Sequence, residues 1–243
     1  MTKPLKKSGF AQGIYEQSAT AKEMLGTLRI TRDGRKYRYA KASGAKVAGK
    51  FGLASALSAY VVNEIILAAV AIGEYTLDLT VTTGTAIAKD ELRGGYFQVQ
   101  DGTGEGQNIL ITGNSAMASD GTAIQVALED PIKVALDITS EFNLVRSPWW
   151  AVVETDTGEA FPGGIAPIAV TTLYYYWCQT GGVANSFQEG TPAVGSNLVV
   201  STGTAGSLIA ATSGIDIDLP IVGYTYGTAG VANEFTPVFL TID

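Results

Sequence analysis

Histidine is absent from the 243 residues, and cysteine occurs once, as Cys178. Without histidine, no Ser–His–acid or Cys–His catalytic arrangement and no His-bearing zinc site can be assembled. A single cysteine makes no intrachain disulfide. Cys178 reads as a small buried apolar residue beside Trp177, with an intersubunit bridge as the alternative. Charged residues make up only 16% of the chain, against about 25% in ordinary soluble domains, a share that suits a surface covered by partners. Long apolar runs are missing too. The most apolar stretch, Leu57–Ile72, is 16 residues long and is interrupted by Asn63 and Glu64, too short and too polar to cross a bilayer. The basic N-terminus, Met1 to Lys7, leads into no apolar segment and does not read as a secretory signal. These absences point to a protein made in the cytoplasm, with no enzymatic role, cofactor, metal or membrane contact.

What is present favours β-structure. Glycine is abundant at 29 residues and apolar residues reach 46%, with threonine, valine and alanine prominent, a composition of strands and turns. The expected fold is all-β: small antiparallel barrel or sandwich domains preceded by an extended N-terminal arm. The length suffices for one large or two small β-domains. Residues 42–56 are rich in glycine, alanine and serine and read as a linker. Ser147-Pro148-Trp149-Trp150 punctuates the chain further on. The expected division is therefore an arm over 1–56, a first β-domain over 57–147 and a second over 148–243.

The net charge of −7 hides an asymmetry. Residues 1–50 hold 12 of the 16 basic residues and three acids, a net +9, and the remainder carries four basic residues and 20 acids, a net −16. The densest basic segment runs from Arg29 to Lys41. Asp33-Gly34 is a type I′ turn signal, so the segment is expected to form a hairpin, Thr27–Arg32 turning into Arg35–Lys41. Tyr37 and Tyr39 then share one face, with Lys36, Arg38 and Ala40 on the other. Alternating arginine and tyrosine suits a protein interface, and also single-stranded nucleic acid. An acidic body repels phosphates, which favours protein docking without direct nucleic-acid contact. The expected contact residues are Arg29, Arg32, Arg35, Lys36, Tyr37, Arg38, Tyr39 and Lys41.

Strands are expected at Ile65–Ile72, Tyr75–Thr82, Tyr96–Gln100, Asn108–Thr112, Ala123–Leu128 and Glu141–Val145, and then at Ala151–Glu154, Ala166–Thr171, Tyr174–Gln179, Asn197–Ser201, Ile221–Tyr226 and Val238–Ile242. In Tyr75–Thr82 the residues Tyr75, Leu77, Leu79 and Val81 fall on one face. Segments Thr180–Gly190 and Gly203–Gly214 read as long connections of low charge. The loop Gly102-Thr-Gly-Glu-Gly-Gln107 echoes a nucleotide-binding motif, but a strand follows it instead of a helix. It reads as a tight turn that needs positive φ at glycine. Tyr174, Tyr175, Tyr176 and Trp177 present aromatic rings to both faces of a strand. One pair is expected to fill the core and the other to meet a second interface, or a sugar. Carboxylates are scattered, the closest groups being Glu154/Asp156/Glu159 and Asp216/Asp218. The latter reads as a solvated face or as calcium ligands.

Several segments together resemble the decoration, or cement, proteins of tailed-bacteriophage capsids. They are Leu25-Gly-Thr-Leu with Asp33-Gly-Arg-Lys-Tyr-Arg-Tyr-Ala-Lys41, Gly94-Gly-Tyr-Phe-Gln-Val with Gly102–Gln107, Leu128-Glu-Asp-Pro-Ile132, Tyr176-Trp-Cys-Gln-Thr-Gly181, Gly195-Ser-Asn-Leu-Val199 and Val238-Phe-Leu-Thr-Ile-Asp243. They span nearly the whole chain in order. The resemblance implies a virion protein on the outer capsid surface, often a homotrimer, that binds the major capsid protein and clamps the shell. It implies no catalytic residues. A carbohydrate-binding head fibre or adhesin is the alternative.

Overall fold

The computed structural model describes residues 9–54, 61–82, 85–156, 161–212 and 219–243. In chain order the strands are β1 (Leu28–Ile30), β2 (Lys36–Lys41), β3 (Phe51–Ala54), β4 (Val61–Ile65), β5 (Thr76–Thr80), β6 (Tyr96–Asp101), β7 (Asn108–Asn114) and β8 (Ala123–Leu128). They continue with β9 (Glu141–Val145), β10 (Val152–Val153), β11 (Pro162–Ile165), β12 (Tyr175–Phe187), β13 (Asn197–Val200), β14 (Leu208–Ala210), β15 (Gly223–Thr225) and β16 (Phe235–Thr241). The described residues contain no helix, so the all-β class holds.

The chain divides into two compact units, one of residues 1–55 with 151–243 and the other of 56–150. The division into a separate arm and two consecutive domains is corrected accordingly. The N-terminal segment belongs to the same unit as the C-terminal third, and the middle of the chain is an insertion. The physical reason is strand pairing. β2 lies antiparallel against the first half of β12, with Tyr39 opposite Trp177 and Tyr37 opposite Gln179. The supposed linker contains β3, all four of whose residues are buried.

The inserted unit is a six-stranded antiparallel sheet in the order β4-β9-β6-β7-β8-β5. Its alternating apolar residues, among them Leu77, Phe97, Ile111, Val126, Phe142 and Leu144, converge on a core of its own. Leu77, Leu79 and Val81 point inward as the alternation predicts, while Tyr75 lies outside the strand and is exposed. The first strand is Val61–Ile65 instead of Ile65–Ile72, since the chain bends after Ile66 and leaves Leu67 and Ile72 in solvent. The loop Gly102–Gln107 joins β6 to β7 with φ of 77°, 84° and 85° at its three glycines. A Cβ on Gly102 would lie 1.8 Å from the Thr139 carbonyl oxygen, so this loop is a backbone turn packed against its neighbour.

The first unit is a ten-stranded antiparallel sheet in the order β10-β3-β11-β12-β16-β15-β13-β14, with β2 and then β1 attached along β12. One face buries Phe51, Leu53, Ile165, Leu198, Val222, Val238 and Leu240. Thr180–Phe187, expected as a connection, is the second half of β12 and pairs with all of β16. β14 lies within the other expected connection. The strand expected at Ala166–Thr171 is replaced by β11 just before it, whose Gly163 and Gly164 pass close to Gly52 and Gln179. Asp216, Asp218 and Glu159 lie outside the described residues.

Lys46 is buried at 3% exposure, and its ammonium has no hydrogen-bond partner. Burial pushes its pKa down to about 8, against the pull of Glu154 and Cys178. The unfolded chain holds this proton to about pH 10.5. Below pH 8 both states are charged, and the folded state carries the full desolvation cost; above that, folding becomes more favourable as the pH rises toward 10.5. The cost at neutral pH is about 3 kcal/mol. Lys46→Met should therefore raise the urea midpoint at pH 7 and flatten the difference between pH 7 and pH 9.5. A second expectation concerns the units. The segment 56–150, which has its own core, should melt cooperatively by itself in a calorimeter, whereas a chain beginning at Phe51 should lose the transition of the first unit.

Candidate functional site

The basic segment forms the expected hairpin, with Leu28 opposite Arg38 and Ile30 opposite Lys36. Its turn differs in detail. The Gly34 amide donates to the Thr31 carbonyl, and the Thr31 amide to the Arg35 carbonyl. Gly34 alone has positive φ, at 81°. This is a three-residue loop, a type I turn closed by a left-handed glycine, instead of a two-residue type I′ turn.

Tyr37 and Tyr39 share a face as expected, but that face is inside the protein, and both are fully buried. Tyr39 Oη donates to Gln12 Oε1 at 2.7 Å and accepts the Lys22 amide at 3.0 Å. Burial pushes both phenols up to about 12. Residues 10–25 cover this face. Phe10 packs edge-on to Trp177 at 5.1 Å, and Trp177 packs against Tyr39 at the same distance. Trp177 Nε1 donates to the Gln12 carbonyl at 3.0 Å. Arg29 lies over Phe10 and Trp177 and donates to the same carbonyl. Tyr175 stacks on Tyr39, and Lys41 lies over Tyr175.

Most of the expected contact residues therefore hold the fold together. Tyr176 and Trp177 are both fully buried, on opposite faces of β12, and Tyr174 and Tyr175 are half-buried. The aromatic run is consequently a core element and does not provide an open platform. Arg38 grips the Asp243 carboxylate with two bonds of 2.8 Å and donates a third to the Gly26 carbonyl. Burial opposes ionisation of Asp243, but the Arg38 hydrogen bonds hold its pKa below the ordinary value. Cys178 is buried, with Sγ 3.1 Å from the Gly163 carbonyl oxygen, a position unsuited to an intersubunit bridge. Glu154 accepts the Val47 amide at 2.6 Å, a structural contact.

Arg32, Arg35 and Lys36 remain at the hairpin end. Arg32 is exposed at the tip. Arg35 donates to Asp33 Oδ2 at 2.7 Å, and its pKa is raised by Tyr15 and then by Asp33. Arg35 and Tyr15 form one wall of a groove of about 590 Å³, whose other walls include Ile165, Pro167, Val183, Asn185, Phe235 and Pro237.

The groove continues onto an apolar sheet face that the sequence did not flag. Val183, Phe239 and Tyr224 stand directly opposite one another on β12, β16 and β15, each 41–42% exposed. Phe235 and Tyr226 extend the row and are exposed as well. The relevant signal lay in β16, where apolar residues occupy both faces: Val238 and Leu240 inward, Phe235, Pro237 and Phe239 outward. Compared with known proteins, the chain matches no family model, no curated protein sequence and no solved structure.

Because Trp177 joins the N-terminal cover to β12, Trp177→Ala should cost about 3–5 kcal/mol. The loss would be read as a lower denaturation midpoint of the first unit, with the inserted unit unchanged.

Proposed function

We propose that this protein is a structural binding subunit that coats a larger assembly, docking through the outer face of β12, β16 and β15. The resemblance to capsid decoration proteins suggests that the assembly is a bacteriophage head, that the major capsid protein is the partner and that the bound form is a homotrimer. The observation that carries the reading is the row Val183–Phe239–Tyr224 with Phe235 and Tyr226 beside it. Scattered apolar side chains are ordinary on a surface, but a contiguous apolar row, aromatic at all but Val183 and backed by a groove, marks an interaction site. Aromatic anchors of this kind supply much of the binding energy of protein interfaces. The basic hairpin tip at the groove rim adds steering toward an acidic surface. Many identical weak contacts across a shell would add up by multivalency.

The glycan-binding alternative relied on Tyr174–Trp177. Tyr176 and Trp177 lie inside the fold and offer a sugar no surface, so the docking reading is preferred.

Co-sedimentation with undecorated heads tests the reading. The double variant Tyr224→Ser, Phe239→Ser should keep its melting temperature, both side chains being solvent-exposed, and should lose at least tenfold in affinity. Full occupancy by that variant, or failure of the native chain to bind heads, would overturn the proposal.

A further inference from the structure

The groove sits where one strand outruns its neighbour. β12 has 13 residues. On one side it is covered by β11 near Gln179 and by β16 from Gly181 to Phe187. On the other side β2 covers it only from Tyr175 to Gly181. Beyond that point the hairpin turns away, and the next partner on this side is Gly49, whose carbonyl accepts the Phe187 amide. Val183 to Asn185 lies between.

The backbone of this stretch has a defined direction. The Ile242 amide donates to the Thr180 carbonyl, and the Gln188 amide to the Glu234 carbonyl. Beyond the irregularity at Gln179/Gly181, the even-numbered residues of β12 thus direct their backbone groups to β16, and the odd-numbered ones direct theirs to the open side. The Phe187 amide donating to Gly49 obeys this alternation. The Val183 carbonyl is capped by Gln179 Nε2 at 2.8 Å. The amides of Val183 and Asn185 face the groove with no partner among the described residues, and the Asn185 side chain is exposed beside them. Unpaired edge amides flanked by an apolar trough are a template for strand addition.

Resting on the docking reading above, we infer that this groove receives an extended peptide segment of the partner protein, added as a short strand along Val183–Asn185. The walls determine its chemistry. Pro167, Phe235 and Pro237 accept apolar side chains above the buried Ile165. At the hairpin tip Arg35 and Arg32 outnumber Asp33, the acid that lines the same hollow, so the segment carries a carboxylate at that end. The occupant is an apolar–acidic strand, distinct from the flat contact made by the Phe239 row.

An array of random twelve-residue peptides probed with the full chain tests this inference. The expected hits alternate apolar residues and include Asp or Glu, and the tightest one, added in solution, slows amide exchange at Val183 and Asn185. Asn185→Pro removes only an amide that has no partner, which an edge position tolerates. It should keep the native melting temperature and weaken the peptide by more than tenfold. Arg35→Glu, independent of any effect of proline on folding, should shift the hits toward Lys and Arg. Hits that bind Asn185→Pro as tightly as the native chain, hits without acidic residues, or no hits at all would overturn the inference. So would a loss of self-association as the main effect of Asn185→Pro in sedimentation, which would make the occupant a second copy. If native chain and Asn185→Pro dock on heads equally while the array stays blank, the groove fails and the docking reading stands. If heads do not bind the native chain, the docking reading itself fails.

Discussion

The antiparallel pairing of β2 with the first half of β12 is the constraint on which the first unit depends. It joins residues near position 40 to residues near 176 across the whole inserted unit. Backbone pairing supplies the register, and the aromatic stack of Phe10, Trp177, Tyr39 and Tyr175 closes over it. Such non-local pairing carries a large loop-closure cost. A core of fully buried tyrosine and tryptophan, with Arg29 lying over the rings, offsets that cost.

The same pairing redistributes the charge. Read along the chain, a basic head precedes an acidic body. In the folded protein, residues 1–55 and 151–243 together hold 12 basic and 11 acidic side chains, whereas 56–150 holds four basic and 12 acidic. The head's excess is thus largely balanced within its own unit, as in the clamp of Arg38 on Asp243. The acidic part of the molecule is the inserted unit. What remains of the basic signal is local, at the hairpin tip beside the groove. The length of β12 explains why the groove lies there, since a strand longer than its neighbour must leave backbone donors without partners.

Local features were legible in advance. Asp33-Gly34 marked a hairpin, the period-two alternation placed Leu77, Leu79 and Val81 inward, and Gly102, Gly104 and Gly106 marked a turn. These depend on nearest neighbours and on the pleat. The candidate site was legible only in part. Arg35 does line the groove, but Tyr37 and Tyr39 lie inside the fold, and of the aromatic run, where one pair is expected in the core, Tyr176 and Trp177 are buried on opposite faces. Alternating tyrosine and arginine looks the same whether the tyrosine face meets a partner chain or a distant segment of its own chain. Val183 and Asn185 lay in a glycine-containing stretch that reads as a loop, because Gly181 and Gly182 carry no side chain with which to signal a strand. Their strand character comes from β16, more than fifty residues away.

By itself, the sequence determined the all-β class, the hairpin, the turn glycines and the lack of any histidine-based chemistry, since these rest on residue identity and short-range backbone preference. Only the tertiary structure decided which aromatic residues are core and which are exposed, that the basic head is part of a sheet, and where an edge is left open. Each of those depends on which strand lies beside β12 and where that neighbour ends, a matter of pairing between segments remote in the chain, on which local propensity is silent.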